Sequence, residues 1–361
     1  MSQKKENKYI LPPLPPSTNK IESIQILKQL AKASRALGEL KGIARTIPNQ
    51  KMLINAIVLR EAKDSSEIEN IITTHDELYK ALSVQSLPNP QTKEVINYRK
   101  AIFKGFDLII KQGFIRLNDI IELQRIIVEN NGGIRSTPGT VLKNDKTGEV
   151  VYTPPQDIQE INLLLSNFLD YFNIEQCHSE PLINLAILHY QFESIHPFYD
   201  GNGRTGRILN ILYLILNNLI EIPILYLSSY ISENKPEYYR LLNSVNKNDE
   251  WENWVIYMLK AIEVTSIQTI DKITHIKNSL EQTIELVAAK SPKIYKKELI
   301  ELLYEQPYSK IEFVVDKLGV ERKAASRYLR NLEEIGVLKS QKIGRENIYI
   351  NLDLMEILKK Q

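Results

Sequence analysis

Of 361 residues only one is cysteine, Cys177. A single thiol cannot close a disulfide within the chain or supply a multi-cysteine metal site, and such usage suits a reducing compartment. A long uninterrupted apolar run is also missing. The most apolar stretch, Ile208 to Ile224, is broken by Asn210, Asn217 and Asn218, so it reads as a buried helix rather than a membrane span. Met1 to Lys8 is polar and lysine-containing, without the apolar segment that a signal peptide requires. These absences lead to the expectation of a cytoplasmic chain with no membrane partner. Net charge is nearly absent too, with 46 Lys and Arg against 44 Asp and Glu. That excludes a global field for nucleic acid or anionic lipid, and any such contact needs a local patch.

What is present is ordinary for a soluble globular protein: 43% hydrophobic and 25% charged residues, in a chain long enough for two or three domains. The segment Leu11-Pro-Pro-Leu-Pro-Pro16 must be extended, because each proline fixes φ and removes a donor. It reads as a tail packed along the surface or as a proline-motif ligand. Helical periodicity then covers Ile21 to about Ser83, and Thr92–Lys111, Leu117–Glu129 and Gln156–Asn173 continue it. Val141–Lys143 and Glu149–Tyr152 read as two short strands about a turn, ended by Thr153-Pro-Pro155. Pro181–Ile195, Asn202–Asn218 and Trp251–Lys290 are again helical. The expected fold is mainly α.

Between two apolar helices lies His196-Pro-Phe-Tyr-Asp-Gly-Asn-Gly-Arg-Thr-Gly-Arg207. Gly201, Asn202 and Gly203 are residues that tolerate positive φ and close backbone approach. They stand where a helix begins, so successive N–H groups can converge on an anion with the helix dipole behind them. Arg204 and Arg207 are three apart, which lets two permanently charged forks reach one side, as a polyphosphate needs. Asp200 adds a hard oxygen ligand suited to magnesium beside phosphates. His196 is the group in the run whose ordinary pKa fits general-base work near neutrality. A base, a metal ligand and a phosphate cradle describe attack by a hydroxyl on a nucleotide phosphate.

The run matches the Fic signature, His-Pro-Phe-x-Asp/Glu-Gly-Asn-Gly-Arg-x-x-Arg, at each fixed position, and the resemblance extends over about residues 9–265. Resemblance to this family implies a protein adenylyltransferase that moves AMP from ATP, with Mg2+, onto Tyr, Thr or Ser hydroxyls of targets and of itself. It implies that His196 deprotonates the hydroxyl and that Asp200 holds magnesium against the α- and β-phosphates. Gly201, Asn202 and Gly203 would bind phosphate, with Thr205 and Gly206 alongside in the same segment. Arg204 would support charge on the leaving pyrophosphate, and Arg207 would orient the γ-phosphate. Phe198 would anchor the loop in the core.

Ser65-x-x-x-Glu69-Asn70 resembles the family's inhibitory motif. Four residues apart, Ser65 and Glu69 share a face if the segment is helical. The resemblance implies that Glu69 pairs with Arg207 and leaves ATP misaligned, an inhibition in cis. The hairpin at 141–152 resembles the family's target-aligning flap, where an exposed edge could register a target segment by main-chain pairing. Ser232-Glu-Asn-Lys-Pro-Glu-Tyr-Tyr239 resembles a segment beside the nucleotide, which makes Tyr238 and Tyr239 candidates for the adenosine; core packing is the other reading. Trp251 and Trp254 read as packing residues.

From about Ser291 a separate module begins. Helices at Lys296–Glu305, Ser309–Leu318 and Glu321–Ile335 precede strands at Val337–Ser340 and Asn347–Asn351, an order that resembles a winged helix. Arg322, Lys323, Arg327 and Arg330, with Lys339, Lys342 and Arg345, could meet phosphates. Against that, Lys293 to the end holds fourteen Lys/Arg and eleven Asp/Glu, a surplus of three. DNA at 321–345, a protein partner and a homodimer all stay open. The expected architecture is an N-terminal helical region at 1–110 with the inhibitory motif at 65–70, a Fic-type helical core with a small β-hairpin flap at 111–265, a helical linker at 266–290, and a winged helix-turn-helix domain at 291–361. Two competing functions are a nucleotide-sensing DNA-binding transcriptional regulator and a Fic enzyme acting mainly to remove AMP.

Overall fold

Apolar residues at helical spacing do become helices along most of the chain. The computed structural model describes residues 11–47, 49–83, 88–143, 147–174, 179–343 and 346–359. Cys177, Arg345 and the turn residues 144–146 lie outside them. The first part carries α1 (Ile24–Arg45), α2 (Gln50–Ile68), α3 (His75–Ser83), α4 (Pro90–Gln112) and α5 (Leu117–Val128). A hairpin, β1 (Leu142–Lys143) and β2 (Val150–Tyr152), leads to α6 (Ile158–Asn173), α7 (Pro181–Ile195) and α8 (Asn202–Leu216). Then come α9 (Leu227–Glu233), α10 (Lys235–Asn248) and the long α11 (Trp251–Lys290). The C-terminal module is α12 (Lys297–Glu305), β3 (Tyr308–Ser309), α13 (Ile311–Leu318), α14 (Arg322–Glu334), β4 (Leu338–Ile343), β5 (Glu346–Asn351) and α15 (Leu352–Lys359).

Contacts divide the chain into two units, one of residues 1–38 and 100–266, the other of 39–99 and 267–361. In the first unit α7 is the central helix, buried on nearly every face, which explains why its sequence is apolar all round rather than striped. It packs against α6 and α8, and α5 covers α8. Phe168, Phe172, Phe192, Phe198 and Tyr213 interlock there at centroid distances of 5.2–6.4 Å. The proline-rich start is packed down. Leu11 and Leu14 are buried, the Leu14 N–H donates to Asn167 Oδ1 at 2.6 Å, and Asn167 Nδ2 donates back to the Leu14 carbonyl at 3.0 Å. Trp254 is fully buried and donates to the Ala186 carbonyl at 2.8 Å.

The second unit joins chain segments that the sequence pattern assigns to opposite ends. Helix α2 packs on α12, and α3 packs on β3. Asn49 Nδ2 donates to Glu305 Oε1 at 2.8 Å. Tyr79 stacks on Tyr308 with centroids 5.5 Å apart and planes 10° apart, and the Tyr308 hydroxyl donates to Asp76 Oδ1 at 3.3 Å. Burial pushes the Tyr308 phenol up to about 12, so it stays a donor. In the C-terminal module, Gly319 at φ +63 ends α13 and turns the chain into α14. The sheet runs antiparallel in the order β3-β5-β4. Ala325, Tyr328, Leu329 and Leu332 bury one face of α14, leaving Arg322, Lys323, Arg327 and Arg330 exposed on the other.

Candidate active site

The twelve-residue run joins α7 to α8 as a tight loop whose backbone is held at both ends. His196 caps α7 at φ +49 and ψ 59, with its N–H donating to the Phe192 carbonyl at 3.1 Å. A non-glycine residue in the left-handed region costs energy that the surroundings must offset, and several bonds do so here. The Arg135 N–H donates to the Pro197 carbonyl at 2.9 Å. Ile134 bridges Phe198, whose side chain is fully buried. Asn202 closes the loop on itself: its Oδ1 accepts from the Phe198 N–H at 2.8 Å, and its Nδ2 donates to the Phe198 carbonyl at 2.8 Å.

The start of α8 is set by the backbone. Gly201 takes φ +81 as N-cap of α8, and a Cβ there would come within 2.9 Å of Val128 Cγ1, so both conformation and space call for glycine. The first intrahelical bond runs from the Thr205 N–H to the Gly201 carbonyl at 2.9 Å. The N–H groups of Asn202, Gly203 and Arg204 precede that bond in the first turn, and the positive end of the helix dipole lies with them. Asp200 is two-thirds exposed, at 66%, while Arg204 is buried. Asp200 Oδ1 accepts from Arg204 Nη2 at 3.2 Å and from the Gly201 N–H at 2.6 Å. Arg207 is buried one turn further along α8.

Other candidates from the sequence occupy different surroundings. The Asn202 side chain serves the loop, through its two bonds to the Phe198 backbone. Gly206 faces α7, where a Cβ would meet Glu193 Oε1 at 2.5 Å; it sets the helix–helix approach. Tyr238 is buried, shares a 2.8 Å hydrogen bond with His189 Nε2 and lies against Trp254 and Tyr257. Tyr239, in contrast, is exposed. His189 Nδ1 faces Asn210 Nδ2 at 3.1 Å, so the amide donates and Nε2 carries the ring proton. Burial, helped by the Arg207 charge, pushes this imidazole down to about 3, which keeps it neutral beside the arginine.

In the second unit, Ser65 lies inside α2 and is buried, whereas Glu69 follows the helix and is exposed. A Schellman turn makes the difference: the Ile71 N–H donates to the Ser66 carbonyl and the Asn70 N–H to the Glu67 carbonyl, each at 3.0 Å. Asn70 takes φ +62, which gives a physical reason for Asn or Gly at that motif position.

Three residues that the pattern did not single out support the loop. Gln124 on α5 donates to the Asp200 carbonyl at 3.0 Å. Arg135, fully buried at 0%, donates from Nε to the His196 carbonyl at 2.7 Å. The Tyr199 hydroxyl accepts from the Ser136 and Thr137 N–H groups at 3.0 and 3.2 Å. Sequence carries no sign that Arg135 is buried, since an arginine in a loop is ordinarily solvated.

A strained histidine, a carboxylate bound to an arginine and a glycine-capped helix start form a site of the Fic type. The "Fic/DOC family N-terminal" model matches residues 27–107, the "Fic/DOC family" model 114–214, and "Protein adenylyltransferase SoFic-like, C-terminal domain" 280–354. The chain belongs to the Fic/DOC family. It is 26% identical over 214 residues to protein adenylyltransferase Fic of Drosophila mojavensis, covering 53% of this chain and 39% of that protein. It is 30% identical over 184 residues to protein adenylyltransferase fic-1 of Caenorhabditis briggsae, covering 48% and 32%. The chain thus spans well under half the length of these relatives. A Fic family protein from Desulfovibrio desulfuricans shares the fold at a TM-score of 0.60 and 19% identity, over 94% of this chain and 98% of that one. Fic-1 from Caenorhabditis elegans does so at 0.53 and 22%, over 69% and 74%.

Proposed function

We propose that this chain transfers AMP from ATP to tyrosine, threonine or serine hydroxyls of target proteins and of itself, restrained by Glu69 acting on Arg207. The observation that carries the reading is the loop 196–207, in which a half-buried imidazole, a carboxylate and two arginines flank a glycine-capped helix start. In the reaction, the target oxygen attacks the α-phosphorus and its proton passes to the His196 imidazole. The bond from the α-phosphorus to the bridging oxygen breaks, and pyrophosphate leaves. The N–H groups of residues 202–204 and the Arg204 guanidinium meet the charge that develops, the kind of preorganised stabilisation that is worth several kcal/mol. Arg207 aligns the far end of the triphosphate; the neutral His189 beside it leaves that charge undivided.

The donor set fits magnesium. No group of three or more His, Cys, Asp or Glu among the described residues could hold a metal. Magnesium commonly takes one or two carboxylates with substrate phosphates and water, and Asp200 supplies such a carboxylate on a side chain that is largely exposed, with Oδ1 bonded to the loop. Magnesium there would neutralise phosphate charge. The hairpin at 141–152 exposes the apolar side chains of Val141 and Val150, which supports its use as a docking site for an extended target segment. The restraint is supported by the Schellman turn, which carries Glu69 past the end of α2 as an exposed carboxylate. Pairing with Arg207 would misplace ATP, and misplacement alone lowers rates by orders of magnitude.

The C-terminal order α12-β3-α13-α14-β4-β5 supports a winged-helix reading, with the exposed bases of α14 as its contact face. Incubation of the full chain with ATP tests the main reading. Label from the α-phosphate enters protein and label from the γ-phosphate does not; His196→Ala lowers incorporation about 10²–10⁴-fold. Equal incorporation from both labels, or tight duplex binding with no incorporation, contradicts it.

A further inference from the structure

The hairpin is too small to hold itself. Among the described residues two paired positions, Leu142↔Tyr152 and Lys143↔Val150, with an irregularity between them, make up its ladder, and an isolated two-stranded hairpin is marginal in water. If a target docks on this edge, something else must keep the edge in register with the base. We propose that Arg135 and Tyr199 form a clasp that fixes the hairpin to the catalytic loop, and that both are positioning residues for the target hydroxyl at His196. This rests on the hairpin being the docking edge of an adenylyltransferase.

The clasp gathers both limbs of the hairpin onto the loop. Arg135 stands on the incoming limb. Its Nε donates to the His196 carbonyl at 2.7 Å, and its Nη2 donates to the Ile195 carbonyl at 3.3 Å and to the Pro155 carbonyl on the outgoing limb. One planar fork thereby joins the limb before β1, the limb after β2 and the last carbonyls of α7, where the negative end of the helix dipole favours a cation. The guanidinium has no carboxylate partner among the described contacts, and burial lowers its pKa from the ordinary value. A buried charge spent on three carbonyls is an expensive way to fill space, so geometry is what it secures.

Tyr199 makes the second joint, from the loop side. It occupies the free position of the signature, between Phe198 and Asp200. Tyr199 is 51% exposed, so core packing does not explain it. Its hydroxyl oxygen accepts from the Ser136 and Thr137 N–H groups and shares a proton with Thr137 Oγ1 at 2.9 Å. On the outgoing limb, the Tyr152 hydroxyl donates to the Ser194 carbonyl at 2.9 Å. The loop residues on either side of His196 are thus tied to the two limbs of the docking edge.

The test uses the full chain carrying Glu69→Gly as enzyme, the full-length His196→Ala chain as acceptor, and ATP. Tyr199→Phe keeps the exposed ring and removes the acceptor oxygen. The expected result is a KM for the acceptor chain raised about two- to tenfold, the range of one hydrogen bond, with the KM for ATP and the melting temperature unchanged. Arg135→Lys, which keeps charge but not the fork, lowers kcat and raises the acceptor KM further. If that variant fails to fold, Tyr199→Phe still decides. An acceptor KM unmoved by Tyr199→Phe, or one that moves together with the KM for ATP, overturns the clasp. Val150→Pro separates the layers. If it raises the acceptor KM while Tyr199→Phe does not, docking stands and the clasp fails; if it changes nothing, the docking edge fails and takes the clasp with it. No transfer to the acceptor at all overturns the adenylyltransferase reading itself.

Discussion

Gly201 and Asn202 illustrate how much of this site depends on single atoms. Gly201 combines φ +81 with a neighbour, Val128 Cγ1, only 2.9 Å from where a Cβ would stand. Gly201→Ala should cost about 1–3 kcal/mol and displace Asp200 and Arg204, so that transfer falls more than stability does. Urea unfolding beside a labelling assay checks both, and an alanine variant with unaltered transfer would contradict this reading of the loop. Asn202→Ala removes both partners of the buried Phe198 backbone, at about 1–3 kcal/mol for each orphaned group. The signature was legible at this scale because its residue types are chemically restrictive: few residues tolerate a left-handed N-cap, and few can carry a fork for phosphate. Arg135, Gln124 and Tyr199 were not, because each acts through a carbonyl or an N–H from another segment. Such pairing leaves no local pattern.

Element boundaries follow the periodicity closely where helices are amphipathic or wholly buried. Leu117–Val128, Ile158–Asn173 and Pro181–Ile195 stand within a residue or two of expectation. The Ser65–Glu69 spacing suggested one helix face. The Schellman turn at Asn70 instead ends α2 at Ile68, so the serine is buried and the glutamate exposed. Strand β3 and helix α15 were not anticipated, since two residues of strand and eight of terminal helix give too short a pattern to read. Nor does periodicity reveal that α2 packs on α12, a pairing between segments more than two hundred residues apart. This packing bears on the proposed restraint by Glu69. Leu303 is buried on α12, and Leu303→Ala should cost about 2–5 kcal/mol. Loosening the seat of α2 should also raise automodification in the otherwise unaltered chain, but not in a Glu69→Gly background. An equal rise in both backgrounds would show that the effect bypasses Glu69.

Across the whole molecule, each of the two units holds an imidazole that resists protonation, His189 fully buried and His75 half-buried. Burial, helped by Arg207, holds His189 down to about 3, and burial with the charges of Lys63, Arg60, Lys272 and Lys359 holds His75 down to about 4, from ordinary values of 6.5. Below pH 6.5 the unfolded chain binds protons that the folded chain refuses, so stability is intact above 6.5 and is lost progressively as pH falls toward 4. Urea midpoints at pH 7 and pH 5 should differ, and His189→Gln combined with His75→Gln should shrink that difference. An undiminished difference would place the acid sensitivity elsewhere.

The central claim is that one loop both binds a triphosphate and activates an incoming hydroxyl. It is tested most directly by following AMP incorporation and pyrophosphate release together in the Glu69→Gly chain, with Mg-ATP binding measured alongside. The account predicts one pyrophosphate for each AMP incorporated, with both lowered about 10²–10⁴-fold and ATP binding retained on adding His196→Ala. Incorporation that His196→Ala leaves undiminished, or pyrophosphate release unmatched by AMP on protein, would contradict it.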